Sequence, residues 1–152
     1  MSDRSLASVA NELVTDHGYE WARARFKATI GGFVRAYDLE RVLEIGGGRN
    51  PTFSRDEATA LGIDYAINDI SKAELVEGPP DFASDHRLLF DISGPISQSD
   101  DYDLVFSKMV LEHVTDGLRA HCNTFQLLRP GGVAMHFYPT LYSANPGQLA
   151  TS

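Results

Sequence analysis

Apolar residues in the first 38 positions recur at helical spacing. One pattern predicts a short helix near the N-terminus, and a second predicts a helix from about Tyr19 to Ala36. Two adjacent glycines, Gly31 and Gly32, should weaken or kink the middle of the second helix. The apolar positions are Leu6, Val9 and Leu13 in the first helix and Phe26, Ile30, Phe33, Val34 and Tyr37 in the second.

From Arg41 onward, short apolar runs alternate with segments of helical pattern. Such alternation predicts an α/β fold, in which parallel strands form an open, doubly wound sheet with helices on both faces. Ligands of these sheets bind beyond the carboxyl ends of the strands, where the strand order reverses. The predicted strands are Val42–Ile45, Tyr65–Asn68, Leu88–Phe90, Leu104–Ser107 and Val133–Tyr138, and the predicted helices are Arg55–Leu61, Lys72–Val76, Val110–Val114 and Asp116–Leu128.

Composition and charge narrow the class of protein. The 152 residues suit one domain, and no apolar run reaches the ~18 residues that cross a membrane. The N-terminus lacks the apolar stretch of a signal peptide, and the single cysteine, Cys122, fits a reducing cytoplasm. The net charge of −8 comes entirely from residues 51–152, so nucleic acid is not an expected partner.

The stretch "RVLEIGGGRNPTF" runs from an apolar strand into three consecutive glycines. Glycine costs conformational entropy on folding, so this run marks a sharp turn or a close approach by a ligand. A phosphate, a nucleoside or a tight strand-to-helix connection would each explain it. A dinucleotide fingerprint requires a small residue where Pro51 stands, and a Walker loop requires a G-K-[ST] that is absent.

Asp69 ends the second predicted strand, twenty-three residues after Gly46. An acid at about this distance from the glycine turn can accept hydrogen bonds from ribose hydroxyls. A helix N-cap is the structural alternative for this aspartate. Asp91 ends the third predicted strand in "LLFDIS" and has a turn aspartate as its structural alternative.

Four segments in order resemble class I S-adenosylmethionine (SAM)-dependent methyltransferases, specifically the small-molecule, methyltransferase type 11-like group. "EIGGGRN" resembles their motif I, and "LLFDIS" their acidic third-strand end. "YDLVFSKMVLEHVTD" and "LLRPGGVAMHF" resemble the segments around their strands four and five. The resemblance covers about Arg41 to Pro139 and implies a Rossmann-like sheet that binds SAM.

The resemblance also implies which residues hold the cofactor. Glu44 would lie near the methionine ammonium, with Ser107 and Lys108 along the methionine portion. Asp69 would bind the ribose and Asp91 the adenine amino group, with Ile92 against the ring. The full set of implied cofactor residues is Glu44, Gly46, Gly47, Gly48, Asn50, Asp69, Ile70, Asp91, Ile92, Ser107 and Lys108.

A base is needed if the methyl acceptor is a hydroxyl. Glu112 and His113 are the first candidates, and His136 is the third; local hydrogen bonding and core packing are the structural alternatives for the two histidines. Metal-assisted relatives carry an acid where this chain has Met109, so no metal is expected.

The expected architecture is a five-stranded sheet in the order 3-2-1-4-5, without the sixth and seventh strands usual in the family, as in a chain shortened at its C-terminus. Residues 1–38 would form helices that cap the site, and residues 39–152 would form the SAM-binding core. Strand five would be an open edge through which copies of the chain could associate.

Three functions remain open from the sequence. The first is methyl transfer to an unidentified small-molecule acceptor. The second is a SAM-binding or scaffold module without turnover, because the domain is shortened. An NAD-dependent oxidoreductase is the third, and it rests only on Gly46, Gly48 and Asp69.

Overall fold

A computed structural model describes residues 19–97 and 101–138 of the chain. These residues contain four α-helices, the first of which precedes the sheet, and five β-strands. The helices are α1 Tyr19–Tyr37, α2 Arg55–Leu61, α3 Lys72–Val76 and α4 Gly117–Leu127, and the strands are β1 Arg41–Ile45, β2 Asp64–Asp69, β3 Arg87–Leu89, β4 Tyr102–Lys108 and β5 Leu128–Phe137. Single 3₁₀ turns lie at Ser84–His86 and Leu111–His113.

The sheet has the predicted order and direction. Its strands lie side by side as β3-β2-β1-β4-β5, and every neighbouring pair is parallel. The expected doubly wound fold, 3-2-1-4-5, is therefore confirmed. Within the described residues the sheet has five strands, and the C-terminal tail after residue 138 lies outside them.

Side chains on the two faces of the sheet form two separate apolar clusters, as strand alternation requires. One cluster joins α1, α2 and α3 to the sheet through large residues such as Phe26, Tyr65 and Phe106. The other joins α4 to the opposite face through Leu43, Ile45 and neighbouring positions. Helices on both faces leave the carboxyl ends of the strands as the free edge for a ligand.

Three element predictions need correction. The helix α1 runs without interruption through Gly31 and Gly32, because its residues on either side are anchored in the first cluster. The predicted helix Val110–Val114 is only the 3₁₀ turn Leu111–His113. The helix predicted around Leu6 lies outside the described residues.

The third correction concerns β5, which begins at Leu128 rather than at Val133. The "RPGG" segment is part of this strand and lies alongside β4. The pairing of the two strands shifts register between Tyr102 and Leu104. Gly131 has φ 83°, and a Cβ on Gly132 would come within 2.8 Å of the Tyr102 carbonyl oxygen. The two glycines therefore allow an irregular pairing that a turn motif alone does not predict.

No helix within residues 19–97 and 101–138 is both long enough and apolar enough to span a membrane.

Candidate functional site

A cleft of about 270 Å³ opens at the carboxyl ends of the central strands. Its floor comes from the ends of β1 and β2, one wall from the turn after β3, and the other from the segment after β4. It therefore lies where the strand order reverses, as expected for this kind of sheet. The lining residues are Ile45, Gly46, Asn68, Asp69, Ile70, Phe90, Asp91, Ile92, Ser93, Met109, Val110, His113, Val114 and Thr115.

The glycine turn needs glycine at two of its three positions. Gly46 has φ 73°, and a Cβ on it would overlap the Val110 side chain. Gly48 has φ 31°, and a Cβ there would come within 2.5 Å of Asp69 Oδ2. Because these glycines have no side chains, the turn can lie directly against Asp69 at the end of β2 and against the segment after β4. All three surround one cleft.

Glu44 anchors the glycine turn from the face of the sheet opposite Ile45. Its buried carboxylate accepts hydrogen bonds from the Thr52 amide at 2.8 Å, from Thr52 Oγ1 at 2.6 Å and from the Tyr65 hydroxyl. Burial raises the pKa of Glu44, and the hydrogen bonds from Thr52 and Tyr65 oppose that rise. Since Glu44 and Ile45 point to opposite faces, the carboxylate does not line the cleft.

Two further carboxylates line the cleft and are oriented by local turns. Asp69 Oδ1 accepts a 2.8 Å hydrogen bond from the Ser71 amide. Asp91 Oδ1 accepts two hydrogen bonds of 2.8 Å, from the amide and the hydroxyl of Ser93. One oxygen of each aspartate thus fixes its side chain at the end of a strand, and both groups face the same space.

Asn68 positions the wall that carries Asp91. Its buried side-chain amide donates at 2.9 Å to the carbonyl oxygens of Leu88 and Phe90. Sequence reasoning missed this residue as well as Ser93 and Thr115, which also line the cleft. The available signal was an amide side chain that follows two apolar strand residues and precedes an acid, because a buried amide requires hydrogen-bond partners.

The segment after β4 forms the opposite wall. Met109 adopts a left-handed backbone, φ 59°, and its amide donates at 2.7 Å to the Phe137 carbonyl oxygen. This contact ties the wall to the end of β5. His113 lines the cleft with a side chain that is 68% exposed.

Glu112 turns inward beside that histidine. Its side chain is 13% exposed, and Glu112 Oε1 lies 3.9 Å from His113 Nε2. Neither carboxylate oxygen has a hydrogen-bond partner among the described residues. A buried carboxylate without hydrogen-bond donors is costly.

His136 is held neutral away from the cleft. Its Nδ1 lies 2.8 Å from the Ser107 hydroxyl oxygen, and its Nε2 is buried without a partner among the described residues. Burial, with a smaller contribution from the charge of His121, lowers the pKa of His136 to about 4. The His121 ring lies 5.7 Å from it, edge to face.

The structure therefore brings six of the predicted site residues into the cleft lining. These are Gly46, Asp69, Ile70, Asp91, Ile92 and His113. The remaining ones do not line it, namely Glu44, Gly47, Gly48, Asn50, Ser107, Lys108, Glu112 and His136. Within the described ranges no three potential ligands are grouped as a metal site would require.

Comparison with known proteins gives the family. A family model described as a methyltransferase domain matches residues 18–151. No curated protein matches the chain. Many solved structures do.

Among these is the methyltransferase CalH in complex with S-adenosylhomocysteine, 25% identical, with a TM-score of 0.60 over 78% of this chain and 37% of that one. A provisionally assigned sarcosine dimethylglycine methyltransferase from Galdieria sulphuraria shares the fold at 15% identity, with a TM-score of 0.61 over 76% of this chain and 48% of that one. Phosphoethanolamine N-methyltransferase 2 from Haemonchus contortus, solved with SAM, shares it at 22% identity and a TM-score of 0.51, over 63% and 24%.

The chain thus spans less than half of the length of these solved relatives. The relatives solved with SAM or its demethylated product confirm the expected cofactor of the family. A fold of this order, a glycine turn beside two acidic strand ends and a match over nearly the whole sequence agree with one another. The chain belongs to the methyltransferase domain family.

Proposed function

We propose that this chain binds SAM in the cleft and transfers its methyl group to a small-molecule acceptor. The observation that carries the proposal is the convergence of the glycine turn and two oriented carboxylates, Asp69 and Asp91, on one cleft at the strand ends. The family match and the cofactor complexes of its relatives support the same reading.

The chemistry of the lining fits the cofactor. Asp69 would accept hydrogen bonds from the ribose hydroxyls, and Asp91 would accept one from the adenine amino group. Ile70 and Ile92 would flank the adenine with apolar surface. The turn around Gly46 would lie against the methionine portion, with the backbone of Ser107 and Lys108 beside it. Glu44 would act through the turn that it anchors with Thr52.

SAM supplies a methyl group on a sulfonium, which leaves as a neutral thioether when a nucleophile attacks the methyl carbon. The protein has to orient the acceptor in line with that bond and to take up its proton. His113 is our preferred base, because its imidazole lines the cleft. The inward carboxylate of Glu112 would stabilise the resulting imidazolium. His136 is neutral because of its lowered pKa, but it does not line the cleft. It would act as a base only for an acceptor that reaches it behind the segment after β4.

The test of the cofactor site compares two aspartates by titration calorimetry. We expect SAM and S-adenosylhomocysteine to bind with micromolar affinity, about −8 kcal/mol. Asp69→Ala should weaken that binding by about 1–3 kcal/mol, because it removes a charged acceptor. Asp81→Ala, at an exposed position outside the cleft, is the matched control and should bind like the wild type.

Equal affinity in Asp69→Ala and the wild type would place the site elsewhere. Binding of NAD without binding of SAM would replace the proposal by the oxidoreductase alternative, against which Pro51 already counts.

A module that binds SAM without turnover is the second candidate. It is motivated by Asn50 and Met109, which stand where the family pattern has a glycine and where metal-assisted relatives have an acid. Incubation with methyl-labelled SAM and a metabolite extract distinguishes the two, since only the enzyme yields labelled acceptor. Full SAM affinity without any labelled product would favour the binding module.

The same proposal includes the domain organisation, the class of acceptor and the cellular compartment. Residues 1–38 would cap the cleft and residues 39–152 would form the core. The acidic charge of −8 disfavours nucleic acid as acceptor, and the lone Cys122 suits the cytoplasm.

A further inference from the structure

The turn that carries Asp91 is held by the helix α4. In this turn, residues 91–94, the Gly94 amide donates at 3.0 Å to the Asp91 carbonyl oxygen. Asn123 is a buried residue of α4, and its Nδ2 donates at 2.6 Å to the Ile92 carbonyl oxygen and at 2.7 Å to that of Gly94. An amide nitrogen carries two N–H groups, so these two carbonyl oxygens use its whole donor capacity.

A second buried amide holds the segment just before this turn. Asn68, on β2, binds the carbonyl oxygens of residues 88 and 90, whereas Asn123 binds those of residues 92 and 94. Alternate carbonyl oxygens of one short segment thus receive hydrogen bonds from two separate elements. Together β2 and α4 fix the backbone on both sides of Asp91.

Asn123 is an unusual residue for its position in α4. Ala120 and Leu127 lie three residues before it and four residues after it, and both are fully buried in the apolar cluster of this face. Asparagine forms helices less readily than alanine or leucine, and burying an amide is costly unless it is hydrogen-bonded. The Asn123 amide therefore stabilises the structure through its bonds to the turn.

We propose that Asn123 is a positioning residue for the adenine pocket, which places the Asp91 carboxylate for the 6-amino group and so sets the selectivity of the site for adenine. This inference rests on the proposed function, because it assumes that Asp91 meets the adenine. Both hydrogen bonds from Ser93 go to Asp91 Oδ1, so Oδ2 is the atom that would meet the amino group. Asn123 does not line the cleft and acts through the turn.

Loss of the Asn123 amide would release the turn at two points. The carbonyl oxygens of Ile92 and Gly94 would lose their donors on α4, and Ile92 is only 4% exposed, so the turn would have to move for them to reach water. Hydrogen bonds weaken steeply as they depart from linearity. A displaced Asp91 carboxylate would therefore bind the 6-amino group poorly, while Asp69, on β2, would still bind the ribose.

Titration calorimetry of the full chain with two ligands tests the proposal. The ligands are S-adenosylhomocysteine and its purine analogue, which carries hydrogen in place of the 6-amino group. The wild type should bind the analogue at least about tenfold more weakly, because one hydrogen bond to a charged group is lost. Asn123→Ala should reduce this ratio of dissociation constants to below about threefold.

The ratio separates positioning from a general loss of stability. Partial unfolding raises the apparent dissociation constants of both ligands by the same factor, which cancels in the ratio. Leu127→Ala, which truncates a fully buried side chain of the same helix, should therefore keep the wild-type ratio. Thr124→Val is the second control, because the buried Thr124 hydroxyl has no hydrogen-bond partner among the described residues.

A double substitution tests whether Asn123 acts through Asp91. Asp91→Ala should bring the ratio to about one, and adding Asn123→Ala to it should change the ratio no further. Asn123→Ser, which keeps a hydroxyl donor, should give an intermediate ratio. It takes the place of Asn123→Ala if circular dichroism shows that alanine prevents folding.

A wild-type ratio in the folded Asn123 variants overturns the proposal, as does an equal reduction of the ratio in Leu127→Ala. Equal binding of both ligands by the wild type also overturns it, because Asp91 would then not meet the amino group, while the cofactor site itself would stand. A wild type that binds neither ligand overturns this inference and the proposed function together.

Discussion

At the scale of single residues, Glu44 shows how a charged group can serve a ligand site without lining it. Its carboxylate is buried and satisfied by the Thr52 amide, the Thr52 hydroxyl and the Tyr65 hydroxyl. Thr52 closes the glycine turn, so these hydrogen bonds fix the turn against β1 and β2. The site therefore depends on a carboxylate on the opposite face of the sheet.

Removal of one donor tests this dependence. Tyr65→Phe should lower the free energy of unfolding by about 1–3 kcal/mol, because a buried carboxylate loses a hydrogen bond. Tyr65 is protonated and able to donate, since burial and the charge of Glu44 raise its pKa well above 10. Urea unfolding measures the change, and Tyr102→Phe, half-buried beside Arg41, is the control. Equal midpoints for the two variants would refute the anchoring role.

Gly46 is required by the fold as well as by the cleft. The sequence leaves open whether its missing side chain serves a sharp turn or the approach of a ligand. The structure shows that Val110 packs directly against it, and that its φ of 73° disfavours any side chain. A substitution at Gly46 would therefore disturb the fold as well as the cleft, which makes Asp69 the better residue for testing cofactor binding.

At the scale of elements, α2 follows the glycine turn and begins with a capping box. The Ser54 hydroxyl accepts from the Glu57 amide, and the Glu57 carboxylate accepts from the Ser54 amide. Two of the four free amides at the start of the helix are thereby satisfied. The cap holds the exit of the turn that Thr52 closes.

Loss of the cap should be measurable. Ser54→Ala should lower the free energy of unfolding by about 1 kcal/mol, since an N-cap hydroxyl is typically worth that amount. Ser84→Ala is the control, because Ser84 is an exposed residue of a 3₁₀ turn that has no side-chain cap. Thermal unfolding compares the two, and a Ser84→Ala variant that loses as much stability as Ser54→Ala would contradict the assignment.

Most elements of the sheet could be predicted because apolar runs and their spacing reflect burial directly. The acidic ends of β2 and β3 could also be placed, since strand ends in parallel sheets share one edge. Local pattern could not predict the start of β5 at Leu128, which depends on pairing with Tyr102 across the sheet. Nor could it predict Asn68, whose partners lie twenty or more residues away in the chain.

At the scale of the whole molecule, the sheet divides its polar groups between two environments. Groups at the carboxyl edge face the cleft, whereas Ser107 and His136 sit side by side within the sheet, under α4. His136 is neutral there because it is largely buried and because His121, on α4, opposes a second positive charge. This buried imidazole couples the stability of the whole domain to pH.

The sign of that coupling follows from the pKa of His136, which falls from 6.5 in the unfolded chain to about 4 in the folded one. Above pH 6.5 neither state is protonated, so His136 adds no pH dependence. As the pH falls from 6.5 toward 4 the unfolded chain takes up the proton first, and stability is lost. The full loss is up to about 3 kcal/mol.

Urea unfolding of the wild type and of His136→Asn at several pH values between 7 and 4 measures this contribution. We expect the stability of the wild type to fall more steeply with decreasing pH than that of the variant, because other titrating groups contribute equally to both. His113→Asn, at a side chain that is 68% exposed, should retain the wild-type slope. Identical slopes for the wild type and His136→Asn would mean that His136 is accessible enough to be protonated in the folded state. The buried pair with Ser107 would then be wrong, and His136 would become the stronger candidate for proton transfer.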